Sequence, residues 1–185
     1  MSIHRHGHVV YESSQFRAVL RASAVGKIDG TLLPYASATL PTTDAEWDAW
    51  QHPSNPALAT VDPAHGPRLL GLECALMWAT GWMAHANEVI APLVGLPRLP
   101  VCALPDSPLE ETPGGPHWKT ETLVATAAGR PFVWVDDEIG ASDRDWVAAH
   151  HGGPALLHRV DPLRGLGERD FAVLTDWLRG LGTAG

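Results

Sequence analysis

Val25-Gly26-Lys27-Ile28-Asp29-Gly30-Thr31-Leu32 is the stretch on which the reading of this chain turns. A short apolar run ends here in an acid, a glycine and a threonine, the composition of a strand that stops and turns. Lys27 is one of only two lysines; the other is Lys119, in His117-Trp118-Lys119-Thr120. Lysine and arginine together number 13, which leaves 11 arginines, so lysine is not the generic surface cation of this protein. A third segment, Phe132-Val133-Trp134-Val135-Asp136-Asp137-Glu138, sets an acidic cluster at the end of another apolar run.

Outward from these segments, short apolar runs alternate with helix-like stretches. Candidate strands are Ala22 to Ile28, Ala75 to Ala79, Leu99 to Ala103, Phe132 to Val135 and Ala155 to Val160. None alternates strictly with polar residues, so each reads as a strand covered on both faces, as in a parallel sheet. Between them, Asp62-Pro63 offers an N-cap and a first-turn proline leading into Arg68, Leu69 and Leu70. Helices are also expected from about His85 to Leu93, from Lys119 to Ala128, from Ser142 to His151 behind a Ser-Asp cap, and from Glu168 to Arg179. Strands alternating with helices mean an α/β domain, in which chemistry gathers at the carboxyl ends of the strands. Asp29, Thr80 and Asp136 all fall at or just past such an end.

The stretch 32–62 fits neither pattern. It carries Pro34, Pro41, Pro53 and Pro56 with Trp47 and Trp50 between them, and Thr43-Asp44-Ala45-Glu46 has the form of a capping box. An insertion of this length in a small domain reads as a flap or lid. A second irregular loop, Leu104 to Pro116, is rich in proline and glycine. Residues 1–21 form an N-terminal extension with a candidate short helix from Tyr11 to Arg21, ahead of a domain spanning 22–182.

Composition bounds the partners. At 185 residues the chain suits one well-buried domain. A net charge of -8, spread along the chain, argues against a nucleic-acid backbone or an anionic membrane as the main partner. No stretch approaches the roughly 20 apolar residues of a membrane span, and no signal-peptide core follows the N-terminus. A cytoplasmic location and a small-molecule partner are expected, with the oligomeric state left open. Cys74 and Cys102 lie in apolar runs and read as buried free thiols.

Together, Lys27-Ile28-Asp29-Gly30-Thr31, Trp78-Ala79-Thr80-Gly81-Trp82, Lys119 and Asp136-Asp137 resemble the four active-site motifs of the haloacid dehalogenase-like (HAD) hydrolases. Order and spacing agree over about residues 22 to 180. The second and fourth motifs, Trp78 to Trp82 and Trp134 to Glu138, are similar to those of small bacterial members. The resemblance implies a Rossmann-like fold: a central parallel sheet flanked by helices, with a minimal cap of loops. It also implies Asp29 as acid/base, Thr80 and Lys119 as anchors of a phosphoryl group, and Asp136 and Asp137 as magnesium ligands. Asp29, Thr80, Lys119 and Asp136 are expected to converge in one pocket.

The pattern departs at Lys27, which stands where the family places its nucleophilic aspartate. An ammonium cannot form an aspartyl-phosphate, nor ligate a metal while protonated. At about 4 Å and an effective dielectric near 20, a unit cation repels a divalent one by roughly 8 kcal/mol. Magnesium and Lys27 are therefore expected to exclude each other, so no cofactor is expected, and Lys27 is expected to pair with Asp136 or Asp137. Three readings stay open. One is an enzyme repurposed to a non-phosphate small molecule, with Asp29 as general acid/base, lowered in pKa by the neighbouring ammonium and ionised at pH 7. The second is an inactive binding or regulatory module, and the third a residual phosphohydrolase. The catalytic candidates are thus Lys27, Asp29, Lys119 and Asp136.

Substrate-binding candidates are Thr31, Thr80, Gly81, Trp82, His85, Asn87, Trp118 and Asp137. Trp82, His85 and Asn87 follow the second motif, where they read as pocket walls; Trp78 reads as core. Trp118 is a candidate stacking surface beside Lys119. His4, His6 and His8 alternate, as a strand would need to present a metal clamp, although a chain terminus carries such histidines without any role.

Overall fold

The computed structural model of the chain describes residues 23–35, 41–105 and 114–183. The N-terminal extension, its three alternating histidines and the middle of the Leu104 to Pro116 loop lie outside the described residues. The core is an all-parallel, four-stranded sheet. Its strands are β1 (Ser23–Gly26), β2 (Ala75–Trp78), β3 (Phe132–Asp136) and β4 (Ala155–Arg159). Their spatial order is β2-β1-β3-β4. The chain leaves β1 toward β2 on one side and returns to β3 on the other, so the order reverses at β1. In α/β sheets such a switch opens a crevice at the carboxyl ends of the strands.

Both faces of the sheet are covered, which is why its strands show no polar alternation. Along β3, Val133 and Val135 join one core cluster, while Phe132 and Trp134 join the other. The first cluster receives helices α2 (His65–Leu70), α3 (Ala91–Val94) and α6 (Glu168–Thr183). The second receives α4 (Thr120–Ala127) and α5 (Ala141–His150). Trp134 and Phe132 are 0% and 1% exposed; full burial of a large side chain contributes about 1.5–3 kcal/mol. Across the first face, Arg68 of α2 makes a two-point pair with Glu168 of α6 and lies over the Phe171 ring. His158 of β4 meets Asp170 of α6 at 2.8 Å. Gly66 lets α2 lie against α3, because a Cβ there would fall 1.6 Å from the Val94 carbonyl oxygen.

Several boundaries differ from the sequence expectation for local reasons. The expected strand from Leu99 to Ala103 is reduced to a single bridge, Val101 to Trp78. Pro97 and Pro100 have no N–H to donate, and the segment pairs only through Pro100 O and Cys102 N with Trp78. Helix α2 starts at His65 rather than Pro63: Asp62 Oδ1 accepts from Ala64 N at 2.9 Å and makes a turn instead of a cap. The expected helix from His85 splits into a wide π-turn, Ala86–Ile90, and then α3. Pro92 in the first turn of α3 lacks the N–H that would continue a regular ladder. Ahead of α5 the cap is supplied by Asp143, whose Oδ2 accepts from Gly140 N at 2.7 Å, and not by Ser142.

The insertion 32–62 is partly ordered by its own sequence. Thr43 and Glu46 form the expected capping box at the start of α1 (Asp44–Trp50). A 3-10 turn, Pro56–Thr60, follows, capped by Asn55. Cys74 and Cys102 are free thiols. No helix among the described residues is long and apolar enough to cross a membrane.

Candidate functional site

The sheet register places the motif residues along one edge. Lys27 N donates to Val135 O and Ala79 N to Gly26 O, each at 3.1 Å, so position 27, Thr80 and Asp136 share the carboxyl end of the sheet. After Lys27 the chain winds back on itself: Thr31, Leu32 and Leu33 all donate to Ile28 O. Ile28 and Leu33, both 0% exposed, pin the ends of this turn in the core. Gly30 is required at its apex. It has φ +67°, and a Cβ there would lie 2.4 Å from Asp137 Oδ2.

Three acids meet around the two lysines. Lys27 Nζ contacts Glu138 Oε2, lies 2.9 Å from Asp137 Oδ1 and 3.9 Å from Asp136 Oδ1. Lys119 Nζ bonds Asp136 Oδ2 at 2.8 Å, an oxygen that also accepts from the Trp134 indole at 3.2 Å. Glu138 N donates to Asp136 Oδ1 at 3.0 Å, and His117 Nε2 lies 3.3 Å from Glu138 Oε2. Lys27, Lys119, Asp136 and Asp137 are 8%, 2%, 0% and 5% exposed, so they meet inside the protein; the Glu138 side chain alone among them is half-exposed, at 51%. Asp136, Asp137 and Glu138 could each offer one oxygen to a cation, all within 4.8 Å of one another. The Lys27 ammonium stands among those oxygens.

Asp29 makes no ion pair with this cluster among the described residues and is held by two indoles. Trp50 Nε1 donates to Oδ1 at 2.8 Å, and Trp82 Nε1 reaches Oδ1 at 3.0 Å and Oδ2 at 2.8 Å. Trp50 ends α1, so α1 meets the acid. The same segment touches the second motif at its rim, where Gln51 donates to Gly81 O at 3.5 Å and lies 3.4 Å from His85 Nδ1.

The charges respond to burial first. Burial raises the Asp29 carboxyl above its ordinary value, and the two indole N–H groups and the two lysines only partly oppose it. The expectation of a lowered Asp29 pKa is thereby corrected: the loss of water outweighs the attraction of ammoniums it does not touch. Burial also raises Asp137 against the pull of Lys27. For Asp136 burial acts in the same sense, but Lys119 and Lys27 overcome it and hold the carboxyl below the ordinary range. The His117 contact, then Lys27, hold Glu138 well below its usual value despite burial. Burial would lower Lys27, yet Asp136, Glu138 and Asp137 together push it far up, so it stays an ammonium at neutral pH. Tyr35, at the start of the lid segment, is raised by burial against the pull of Lys27.

The remaining candidates fall in different places. Thr80 is fully buried, and its Oγ1 accepts from Trp82 N at 3.3 Å, orienting the indole toward Asp29. Asn87 does not line an opening. Its Oδ1 accepts from the Trp78 indole and from Leu99 N, and its Nδ2 donates to Leu99 O, so the amide fastens the π-turn to the sheet edge. Trp118 is half-buried against the second core cluster, its ring 5.5 Å from Lys119 Nζ. Thr31 is 1% exposed, with a hydroxyl that has no hydrogen-bond partner.

Trp50, His117 and Asp143 lie outside the motif pattern, and Glu138 closes the fourth motif without a role assigned from sequence. Asp143 is 1% exposed, and its Oδ1 accepts from His117 N at 2.7 Å and Thr120 Oγ1 at 2.6 Å. It ties α5 to the start of α4 and so positions Lys119. The tryptophan in the lid and the acid that follows the Asp136-Asp137 pair were legible as residue types, but not as partners. Comparison with protein-family models, curated proteins and solved structures finds no match for this chain.

Proposed function

We propose that the chain is a HAD-like protein turned away from magnesium-dependent phosphate hydrolysis, an enzyme that uses Asp29 as general acid/base on a small molecule with Lys27 in place of the metal. The observation that carries this reading is the Lys27 ammonium, set among Asp136, Asp137 and Glu138 at the carboxyl end of β1 and β3. A cation there offsets part of the charge of the acids that a metal would otherwise bridge. The donor set does not fit magnesium while Lys27 is charged. No carboxylate stands at position 27 to form a phosphoryl intermediate.

Charge also bears on the substrate. Lys27 and Lys119 lie among three carboxylates, Asp136, Asp137 and Glu138, and a fourth, Asp29, lies close enough to feel both charges. A phosphate ester would add negative charge to a cluster already acidic on balance, so a neutral or cationic small molecule is the better guest. Asp29 suits proton transfer because burial makes it a stronger base than an ordinary carboxylate. Opening the Trp50 contact would leave Oδ1 with the Trp82 indole alone and give a substrate room to share it.

A second reading, a non-catalytic binding or regulatory module, is favoured by one observation: each ammonium already has a carboxylate partner within 3 Å. Assays on neutral and cationic esters, amides and lactones, with chelator present, separate the two. The enzyme reading expects a turnover that survives chelation and falls roughly a hundredfold or more in Asp29→Asn. Turnover that requires magnesium, or that is unchanged in Asp29→Asn, would overturn it.

A further inference from the structure

The two indoles on Asp29 hold it in different ways. Trp82 Nε1 is shared by both carboxylate oxygens, at 3.0 Å from Oδ1 and 2.8 Å from Oδ2, whereas Trp50 Nε1 meets Oδ1 alone. A donor shared by both oxygens fixes the direction of the carboxylate, and a donor on one oxygen does not. Each carboxylate oxygen accepts at two lone pairs, so the two indoles together fill Oδ1. Trp82 is also the more firmly rooted. Its backbone N donates to Oγ1 of the fully buried Thr80, and its own side chain is buried. In α1, by contrast, Trp50 is the one buried residue, and the Thr43–Glu46 capping box starts the helix without any contact to the site. The polar contacts beside Trp50 are long, 3.5 Å from Gln51 Nε2 to Gly81 O and 3.4 Å from Gln51 Oε1 to His85 Nδ1. Next to them the end of α1 and the π-turn border a cavity of about 310 Å³ between Asp48, His52, His85 and Glu88.

We propose that Trp82 is the positioning residue of Asp29 and that Trp50 is a stand-in for substrate, an N–H donor that a substrate N–H or O–H replaces at Oδ1. When Trp50 leaves, Trp82 still holds both oxygens, so the acid keeps its aim while one lone pair of Oδ1 becomes free. The inference rests on the reading of Asp29 as general acid/base. It adds the class of group on which that acid works, a proton carried on nitrogen or oxygen. A C–H group is a far weaker donor and would not displace the indole.

The test follows the indole N–H resonances of the nitrogen-labelled full chain. Asp29→Asn should move the resonances of its two indole partners; the one missing from Trp50→Phe is Trp50, and the other is Trp82. In the wild type the Trp50 N–H should exchange with solvent roughly tenfold or more faster than the Trp82 N–H, because its contact opens without unfolding the core. In Trp50→Phe the Trp82 resonance should still follow the ionisation of Asp29 as pH changes. On the ester, amide and lactone panel, Trp50→Phe should lower KM, and Trp82→Phe should lower kcat with KM little changed. Equal exchange of the two indoles, a Trp82 resonance that stops titrating once Trp50 is gone, or a raised KM in Trp50→Phe would each overturn the proposal. If no panel compound turns over, the acid/base reading falls and the substrate's place with it, while the exchange ratio still decides which indole holds the acid.

Discussion

Trp50 donates its indole N–H to Asp29 Oδ1 at 2.8 Å, so a residue of the irregular 32–62 segment completes the surroundings of a buried acid. The contact joins two functions in one bond. It satisfies a carboxylate that has left water, and it fastens α1 to the turn that follows β1.

Trp50→Phe keeps the ring and removes the donor. A hydrogen bond to a charged group contributes about 1.5–3 kcal/mol, and Trp82 still satisfies part of the carboxylate, so a loss near the lower end of that range is expected. Urea denaturation measures it. Limited proteolysis should cut the 32–62 segment faster in the variant; unchanged stability and cleavage would mean that the indole bond does not hold the lid.

Lys27→Met leaves Asp137 without its ammonium partner and is expected to cost about 3–5 kcal/mol, as breaking a buried pair does. Because the folded pKa of Lys27 lies above its ordinary 10.5, the stability it contributes is fully present below that pH and is lost only above it. The alkaline loss should therefore shrink in Lys27→Met. Lys27→Asp should be weaker still without metal, and recover on adding magnesium, which calorimetry would register as binding absent from the wild type.

Asp29→Asn reports the ionisation of Asp29 through pH. The folded pKa is raised above the ordinary 3.8, so the folded state holds its proton longer than the unfolded chain. Wild-type stability relative to the variant should fall as pH rises from 3.8 through the folded pKa, then level off. Denaturation series at several pH values give the slope; a difference that grows with pH in the wild type's favour would reverse the sign argued here.

Gly30→Ala and Gly95→Ala separate backbone strain from crowding. Both glycines have positive φ, +67° and +70°, but only at Gly30 would a Cβ meet a neighbour, Asp137 Oδ2 at 2.4 Å. The left-handed conformation costs about 1–2 kcal/mol in each. Gly30→Ala should cost clearly more, and should disturb the Lys27–Asp137 pair; equal losses in denaturation would show that Asp137 moves aside freely.

Asp143→Ala removes three acceptor contacts, to His117 N, Thr120 Oγ1 and Gly140 N. A cost of about 2–4 kcal/mol is expected, since each donor left behind is desolvated and unpaired. Asp143→Asn, which keeps the shape, should recover part of it. A loss below the range of a surface substitution would mean that the start of α4 is held by other contacts.

Local pattern by itself determined much of this molecule. Apolar runs without alternation marked β1, β2, β3 and β4 as strands buried on both faces, and the Thr43 to Glu46 signature placed the start of α1. It also set Asp29, Thr80 and Asp136 at or just past strand ends, because strand length and turn chemistry are written in neighbouring residues. Only the tertiary structure decided which acids the lysines meet. Lys27 turned to Asp137 and Glu138, Lys119 took Asp136, and Asp29 took two indoles from 21 and 53 residues away. It likewise decided the sign of the Asp29 shift. That sign is a contest between lost hydration and distant charge, and both quantities are set by how elements far apart in the chain pack around the carboxylate.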